Sequence, residues 1–425
     1  MKNSNYFSGS LKDVDLEVAD AITKERNRQC NQIELIASEN FVSNAVLAAQ
    51  GSVFTNKTVE GYPGKRYYGG TEFADKVESL AIERACRLFN CTYANVQPHS
   101  GSNANQAVYL ALLEQGDTIL SMDIASGGHI SHGHPATLTG RDYRIVPYGV
   151  SRDTGTIDYA NVEALAVQHK PKMIIAGGSA YPRTIDFERI RTIADKVGAY
   201  FLADIAHIAG LVVTGLHPNP FPHAHVVTTT TYKSLRGARG GMVLADDKTL
   251  GKKINSAVFP GVQGSVLLHG VAAKAVCLGE ALQSEFKQYN QAVLDNAQTL
   301  AKTLLDAGVG LVSGGTDTGM LLVDLTTKGL TGDIAVDSLE RAGLTCNKNL
   351  IPFDSQPAKI ASGLRLSTNA GTTRGFGEKE FQQIGHWISQ VLDKLVENKD
   401  SNQSTEKRVR EQVAQVCDQF PFYSE

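Results

Sequence analysis

The sequence predicts an α/β fold in which a mostly parallel sheet is followed by a smaller C-terminal α+β domain. Segments with helical periodicity alternate with short apolar strands up to about residue 290, where the pattern changes. The 425 residues are also too many for one hydrophobic core, so two domains are expected. We place an N-terminal arm at 1–60, a large domain at 61–290 and a small domain at 291–425.

The individual elements follow from apolar periodicity and from the residues that end each segment. Amphipathic helices are predicted at 74–88, 103–114 and 187–197, and buried strands at 118–122, 172–176 and 199–204. Repeated β-α-β units of the kind seen within 172–204 produce a parallel sheet. Further along, we expect a long helix at 280–306, strands at 309–312 and 320–324, a mobile linker at 396–406 and an exposed helix in the last 25 residues.

Composition and charge limit the classes of function. The 41 Lys and Arg residues nearly balance the 44 Asp and Glu residues, so charge gives no reason to bind nucleic acid or an anionic membrane. The sequence shows no apolar run long enough to span a membrane and no signal-peptide pattern. The six cysteines lack CxxC spacing, which favours a reducing compartment and predicts a cytoplasmic protein.

The most informative segment is 226–241, where four consecutive threonines precede Tyr232, Lys233 and a basic, glycine-rich turn. The glycines allow close backbone approach, and the hydroxyls supply hydrogen bonds near the lysine amine. A lysine in such a place is a candidate for a Schiff base with an aldehyde cofactor. A solvated lysine in a polar loop is the alternative.

Asp204 stands at the end of the predicted strand 199–204, and His207 follows it closely. Ligands of parallel α/β sheets bind outside the carboxyl ends of the strands. A carboxylate there could pair with the protonated pyridine nitrogen of pyridoxal 5'-phosphate (PLP), which keeps that ring an electron acceptor. An aspartate that only caps the next turn is the alternative.

Ser100, Gly101 and Ser102 stand directly before the predicted helix 103–114. A helix N-terminus with small side chains suits a phosphate dianion, although a simple N-cap would have the same residues. The segment does not match GxxxxGK[ST], and no GxGxxG follows a strand, so nucleoside triphosphate and dinucleotide sites are disfavoured.

Three histidines at 129, 132 and 134 form the last candidate group. Metal binding is disfavoured because no nearby carboxylate or cysteine completes a tetrahedral set. We therefore predict no metal site. Stacking of His129 on a flat cofactor ring is the more specific interpretation, and a structural histidine is the plainer one.

Seven motifs in unbroken order resemble those of the serine hydroxymethyltransferases, which are PLP enzymes of the aspartate aminotransferase fold type. They are ELIASENF at 34–41, EGYPGKRYYGG at 60–70, QPHSGSNAN at 97–105, SAYPR at 179–183, ADIAHIAGL at 203–211, TTTTYK at 228–233 and SGLR at 362–365. The resemblance runs from about residue 12 to residue 395. It implies the PLP-dependent transferase fold type I, with a mostly parallel seven-stranded sheet in the large domain.

The resemblance also implies roles at the cofactor. Lys233 would carry the Schiff base, Asp204 would hold the pyridine nitrogen, and His129 would stack on the ring. Further cofactor contacts would come from Ser100, Gly101, Ser102, Ser179, His207, Tyr232 and Gly264.

Substrate roles are implied in the same way. Arg365 would grip the amino-acid carboxylate with support from Arg239. The hydroxymethyl group would be surrounded by Ser38, Glu60, Tyr67 and Tyr68. Tetrahydrofolate, the co-substrate, would face Ile124, Gly128, Ile130 and Asn349.

In this family Glu60 and Tyr67 come from the partner subunit, so the resemblance implies a homodimer with a shared site, and leaves a tetramer open. With Lys233, Asp204 and His129, these two residues complete the predicted catalytic set. Glu60 would transfer a proton at the hydroxymethyl group or at the folate nitrogen.

The implied activity is retro-aldol cleavage of serine, with transfer of the one-carbon unit to tetrahydrofolate, giving glycine and 5,10-methylenetetrahydrofolate. Departures from the family motifs at Tyr232, Ala238, Ser265, Gly319 and 367–369 are expected to cluster at the cofactor and the carboxylate site. They leave 2-methylserine, giving alanine, open as the substrate instead of serine. Two further functions stay open: a folate-independent aldolase for 3-hydroxy amino acids, and a PLP-binding protein without activity.

Overall fold

The computed structural model describes residues 6–398 and 402–423, and its two largest sheets differ in size and pairing. The strands are β1 Ile33–Glu34, β2 Gly61–Tyr62, β3 Lys65–Arg66, β4 Tyr93–Asn95, β5 Thr118–Met122, β6 Arg144–Tyr148, β7 Met173–Ala176, β8 Tyr200–Asp204, β9 Val226–Thr230, β10 Gly241–Ala245, β11 Gly310–Leu311, β12 Met320–Asp324, β13 Leu344–Thr345, β14 Asn347–Asn349 and β15 Gly363–Ser367.

Helices alternate with these strands along the chain. They are α1 Leu11–Val14, α2 Leu16–Asn31, α3 Asn44–Gln50, α4 Glu72–Phe89, α5 Gly101–Leu112, α6 Leu138–Asp142, α7 Tyr159–His169, α8 Phe187–Val197, α9 Ala209–Val213, α10 Lys248–Ser256, α11 Leu268–Ala281, α12 Ser284–Asp306, α13 Gly332–Arg341, α14 Asn369–Arg374, α15 Glu378–Glu397 and α16 Gln403–Gln419.

The large sheet is mixed and has seven strands in the order β4-β10-β9-β8-β7-β5-β6. Strands β5 to β9 pair in parallel, and β10 runs antiparallel to both β4 and β9. Ile174 and Ala176 of β7 join one apolar cluster, whereas Met173 and Ile175 join another. Both faces are therefore covered, which explains why the strands are continuous apolar runs. The predicted α/β class is confirmed.

Helix α8 illustrates how the sequence sets the bounds of an element. The Asp186 side chain accepts from the Arg189 N–H at the N-cap, and Gly198 ends the helix with a left-handed φ of 69°. The buried face consists of Phe187, Ile190, Ile193 and Ala194. The prediction of a helix at 187–197 is confirmed, and the strands predicted at 118–122 and 320–324 are confirmed with their bounds.

In the C-terminal third, the start of one helix and the position of one linker differ from the prediction. The long helix expected at 280–306 is confirmed as α12 from residue 284 onward, but residues 280–281 end α11, because Gln283 adopts an extended conformation between the two helices. No Gly or Pro marks this break in the sequence. The linker expected at 396–406 overlaps α15 at one end and α16 at the other, and residues 399–401 lie outside the described residues.

The last helix, α16, packs into the protein and is not merely exposed as predicted. Its residues Val409, Val413 and Cys417 are buried in the apolar cluster under the four-stranded sheet β11-β12-β15-β14. Charged residues on the opposite face of α16 hid this short apolar stripe.

The N-terminal segment enters the same cluster. Strand β1 pairs in parallel with β13, and Ile33 and Leu35 pack beside residues of α12 and α15. The segment after β1 then leads to the large sheet, where Asn40 Nδ2 donates to the Lys233 carbonyl at 2.9 Å. Residues 33–40 therefore contact both the apolar cluster under the four-stranded sheet and the turn that follows β9.

Replacement of Val413 by Asp tests the packing of α16. The side chain at this position is fully buried, so an unpaired carboxylate should destabilise the protein by about 4 kcal/mol or more. The single tryptophan, Trp387, lies in the same cluster, so its fluorescence during urea unfolding reports the change.

Val396→Asp is the matched control, because Val396 is 48% exposed near the end of α15. We expect its unfolding midpoint to stay close to that of the unaltered protein. Equal midpoints for the two variants would contradict the packing of α16.

Candidate active site

The candidate site is a cavity at the carboxyl ends of the parallel strands of the large sheet. Asp204 ends β8, and Lys233 is the third residue after β9. These strands are adjacent, with Asp204 paired to Thr228. The cavity is lined by Ser100, Gly101, Ser102, Asn105, His129, His132, Gly178, Ser179, Asp204, Ala206, His207, Thr230, Tyr232 and Lys233.

Asp204 carries a hydrogen-bonded carboxylate inside this cavity. Its Oδ2 accepts from Asn105 Nδ2 at 2.9 Å and lies 2.8 Å from His132 Nε2, and its Oδ1 accepts from the Ala206 N–H. Burial alone would raise the pKa of Asp204. The net pKa nevertheless lies well below its usual range, because His132 hydrogen-bonds to the carboxylate and attracts its charge, and His129 and Asn105 add to this effect. The carboxylate is therefore ionised at neutral pH.

Lys233 faces the same cavity, with its amine 5.8 Å from the centre of the Tyr232 ring. The residue is 5% exposed, and within residues 6–398 and 402–423 its Nζ makes no hydrogen bond to a protein atom. Burial lowers the pKa of Lys233 to about 8; Asp204 acts against this shift, and Arg365 and Arg239 add to it. A useful fraction of the amine is thus neutral near pH 8, as a nucleophile must be.

The start of α5 provides an anion site beside these two groups. Ser100 Oγ accepts from the Asn103 N–H at 3.1 Å, and Gly101 lies so close to β9 that a Cβ would be 2.7 Å from Thr230 Cγ2. The buried Thr230 Oγ1 has no hydrogen-bond partner among the described residues. Free N–H groups, small hydroxyls and this unsatisfied donor suit a phosphate.

His129 and His207 are neutral aromatic groups at the cavity. Burial lowers the pKa of His129 to about 4, with a further contribution from His132, and burial lowers the pKa of His207 well below its usual value. Ser131 N–H donates to His129 Nδ1 at 3.2 Å, which fixes the ring. A fixed, uncharged ring is suited to stacking on a flat cofactor.

Arg365 projects from β15 of the small sheet toward this cavity. Its Nη1 donates to the Ser179 carbonyl at 2.8 Å and its Nε to Asn347 Oδ1 at 3.2 Å. Burial lowers its pKa to about 10, so it is charged at neutral pH. The other N–H groups of the guanidinium can serve a carboxylate. Arg239, by contrast, is exposed and stacks on the Tyr232 ring at 4.1 Å.

Several predicted site residues do not line this cavity. Glu60 lies beside Gly264, where an added Cβ would be 3.9 Å from Glu60 Oε1. Tyr67 is 74% exposed and Tyr68 49% exposed. In the part of the chain that the structure describes, this group therefore lies outside the cavity lining, next to the hairpin β2-β3.

The other predicted residues surround the site at greater distance. Ser38 precedes Asn40, whose amide holds the Lys233 carbonyl. Ile124 lines a neighbouring cavity that shares His129 with the main one. The remaining folate candidates are Gly128, packed on the Met122 carbonyl, the 53% exposed Ile130, and Asn349 at the end of β14.

Of the residues that depart from the family motifs, Tyr232 lines the cavity, and the others lie outside its lining. The Ser265 carbonyl lies against His99 Nε2, and the Ala238 carbonyl accepts from Thr231 Oγ1. The Asn369 carbonyl accepts from the Tyr289 hydroxyl. That hydroxyl accepts from Asn40 Nδ2, which also donates to the Lys233 carbonyl.

Sequence reasoning missed two partners of Asp204. Asn105 and His132 both lie within motifs already singled out, but their spacing does not show that α5 and the segment before α6 converge on β8. A buried carboxylate needs such donors, and polar residues on the apolar face of α5 were the signal that could have revealed them.

The geometry defines an α/β protein with a buried amine, a facing carboxylate and an anion-binding helix start in one cavity. The chain matches the family profile described as serine hydroxymethyltransferase over residues 11–388. It is 60% identical to serine hydroxymethyltransferase of Paramagnetospirillum magneticum over 418 residues, which cover 98% of each chain. The chain belongs to the serine hydroxymethyltransferase family.

Other relatives agree over the same length. Serine hydroxymethyltransferase of Rhodospirillum centenum is 59% identical over 420 residues, covering 99% of this chain and 98% of the relative. Serine hydroxymethyltransferase 2 of Burkholderia pseudomallei is 58% identical over 424 residues, covering 100% of both.

Metal-ligand clusters and membrane-spanning helices are both missing from the described part of the chain. Among residues 6–398 and 402–423, no three His, Cys, Asp or Glu side chains converge as a metal site would require. None of the helices in these two ranges combines the length and apolar character that crossing a bilayer demands.

We predict that uptake of PLP by the apo-protein slows as the pH falls, because only a neutral amine attacks an aldehyde. With a pKa of Lys233 of about 8, the rate should fall by about tenfold per pH unit well below that value and level off above it. Stopped-flow absorbance measures this rate, and butylamine under the same conditions is the control. A profile centred near the ordinary lysine pKa of about 10.4 would contradict the burial of this amine.

Proposed function

We propose that this chain is a PLP-dependent hydroxymethyltransferase. It cleaves serine in a retro-aldol sense and transfers the one-carbon unit to tetrahydrofolate, giving glycine and 5,10-methylenetetrahydrofolate. The observation that carries the proposal is the buried Lys233 amine in one cavity with the ionised Asp204. Membership of the serine hydroxymethyltransferase family along nearly the whole chain supports it.

The cavity has a suitable group for each part of PLP. Asp204 would hold the pyridine nitrogen, His129 would cover the ring face, and Lys233 would take the aldehyde carbon. The phosphate would be held by Ser100, Gly101, Ser102 and the free Thr230 hydroxyl, near the first N–H groups of α5. When bound, PLP supplies an aldehyde for covalent attachment and a protonated ring that accepts an electron pair.

The protein groups around the amino acid have separate tasks. Arg365 binds the carboxylate and so orients the bond to be broken. This positioning speeds the cleavage of that bond. Lys233, with its lowered pKa, accepts and returns a proton at the substrate amine. Asp204 stays ionised, so it keeps a proton on the nitrogen that it faces.

We also propose a homodimer, and the residues that this cavity lacks support it. Glu60, Tyr67 and Gly264 lie together at the surface, and a substrate held at Arg365 needs an acid–base group near its hydroxymethyl group. We infer that these residues complete the site of a partner subunit. Ser179, His207 and Tyr232 belong to the same subunit as Lys233.

The finer description of the fold belongs to this proposal. We assign the chain to the PLP-dependent transferases of fold type I, with division into 1–60, 61–290 and 291–425. The mixed seven-stranded sheet and the separate four-stranded sheet support this division. The cytoplasmic location remains a prediction from the sequence.

A substrate panel tests the function directly. Purified protein with PLP should release glycine from serine rapidly with tetrahydrofolate and slowly without it. Equal rates without folate would indicate the aldolase instead, and bound PLP without any turnover would indicate a protein without activity. Alanine from 2-methylserine, with no glycine from serine, would indicate the shifted substrate.

Arg365→Ala should raise the KM for serine by about 100-fold or more, because two charge-assisted hydrogen bonds to the carboxylate are lost. PLP should still bind, since Arg365 does not line the cofactor cavity. Steady-state kinetics and the visible absorbance of the bound cofactor measure the two effects.

Arg365→Lys is the matched control, which keeps the charge but loses the planar pair of donors. It should restore part of the affinity. An unchanged KM in Arg365→Ala would refute the carboxylate clamp.

A further inference from the structure

Lys274 is a buried lysine outside the cavity and outside the chemistry described above. It lies on α11 and is 3% exposed. Its Nζ donates to the backbone carbonyls of Val96, Pro98 and Gly241 at 2.7, 2.9 and 2.9 Å. All three protons of the ammonium are thereby used, and the acceptors are neutral carbonyls and not carboxylates.

Two glycines in the turn that follows Lys233 make room for α11. A Cβ on Gly240 would lie 2.3 Å from Lys274 Cε, and a Cβ on Gly237 would lie 2.2 Å from Cys277 Sγ. Lys274 and Cys277 are neighbours on one face of the helix, so they fill the spaces that the two missing Cβ atoms leave. The helix therefore packs directly against this turn.

The carbonyls that Lys274 binds belong to segments that fix the start of α5. Val96 and Pro98 lie four and two residues before Ser100 in the chain. Gly241 begins β10 and lies so close that an added Cβ would be 2.3 Å from the Ser100 carbonyl oxygen. Its N–H also donates to the Pro98 carbonyl at 3.0 Å. Lys274 thus holds together the two backbone segments on which the position of Ser100 depends.

Burying a charge at this depth costs free energy unless hydrogen bonds or an opposite charge compensate for it. Burial lowers the pKa of Lys274 to about 7, although Cys277 and Glu78 act in the opposite direction. A methionine of similar volume would avoid this desolvation, but it would remove one donor from each of three buried carbonyls, of which Pro98 would keep the Gly241 N–H. A lysine at this position is explained if the arrangement of those carbonyls matters to the cofactor cavity beside it.

We propose that Lys274 is a positioning residue for the cofactor phosphate, which acts by fixing the carbonyls of Val96, Pro98 and Gly241 beneath the start of α5. The proposal rests on the function proposed above, because it takes PLP as the ligand of the cavity. Lys274 does not line that cavity, so it acts through the backbone. It should therefore affect binding of the phosphate and not binding of the ring.

The experiment compares PLP with pyridoxal, which has the same ring and aldehyde but no phosphate. Absorbance titration of the apo-protein should show that Lys274→Met weakens PLP binding by about tenfold and pyridoxal binding by less than about twofold. The 31P resonance of bound PLP should shift, while kcat at saturating PLP should change little. Gly240→Ala, which places a methyl group against Lys274 Cε, should cause the same selective loss.

Lys287→Met, at an exposed position on α12, is the control and should leave both affinities unchanged. Equal losses for PLP and pyridoxal would overturn the proposal, and so would unchanged PLP affinity in Lys274→Met and Gly240→Ala. If Lys274→Met does not fold, Gly240→Ala decides the matter alone. Failure of the unaltered protein to bind PLP would be distinct, because it would refute the proposed function and this inference together.

Discussion

The site depends on one electrostatic arrangement: a carboxylate that stays ionised while buried, in the same cavity as an amine that burial makes easier to deprotonate. Asp204 keeps its charge because Asn105 and His132 hydrogen-bond to it, whereas Lys233 has no such partner in the described chain. Desolvation favours the neutral form of both groups. The hydrogen bonds of the protein keep Asp204 ionised, whereas the pKa of Lys233 falls to about 8, so its neutral form is populated near that pH.

Backbone packing places these charges, and small residues make that packing possible. The parallel strands β8 and β9 bring Asp204 and the segment before Lys233 to the same edge of the sheet. Gly101 lets the start of α5 touch β9, and Gly240 lets the turn after Lys233 touch α11. Arg365 comes from the other sheet and reaches Ser179, so the substrate end of the site depends on how the two sheets meet.

The sequence predicted the elements whose signals are local and the site residues that lie within the family motifs. Helix α8 was predictable because its caps and its apolar face lie within one segment. The break at Gln283 was not, since no Gly or Pro marks it, and the buried stripe of α16 was masked by its charged face. Lys233 and Asp204 were predicted as a pair, but His132 was not recognised as the partner of Asp204 because that contact joins distant parts of the chain.

The most direct test of the central claim is to locate the cofactor attachment. Protein incubated with PLP is reduced with borohydride and digested, and the peptides are identified by mass spectrometry. We expect one pyridoxyl group, on Lys233, with no comparable modification of the buried Lys274. A label on a different lysine, or an unmodified Lys233 in protein that binds PLP, would contradict this assignment.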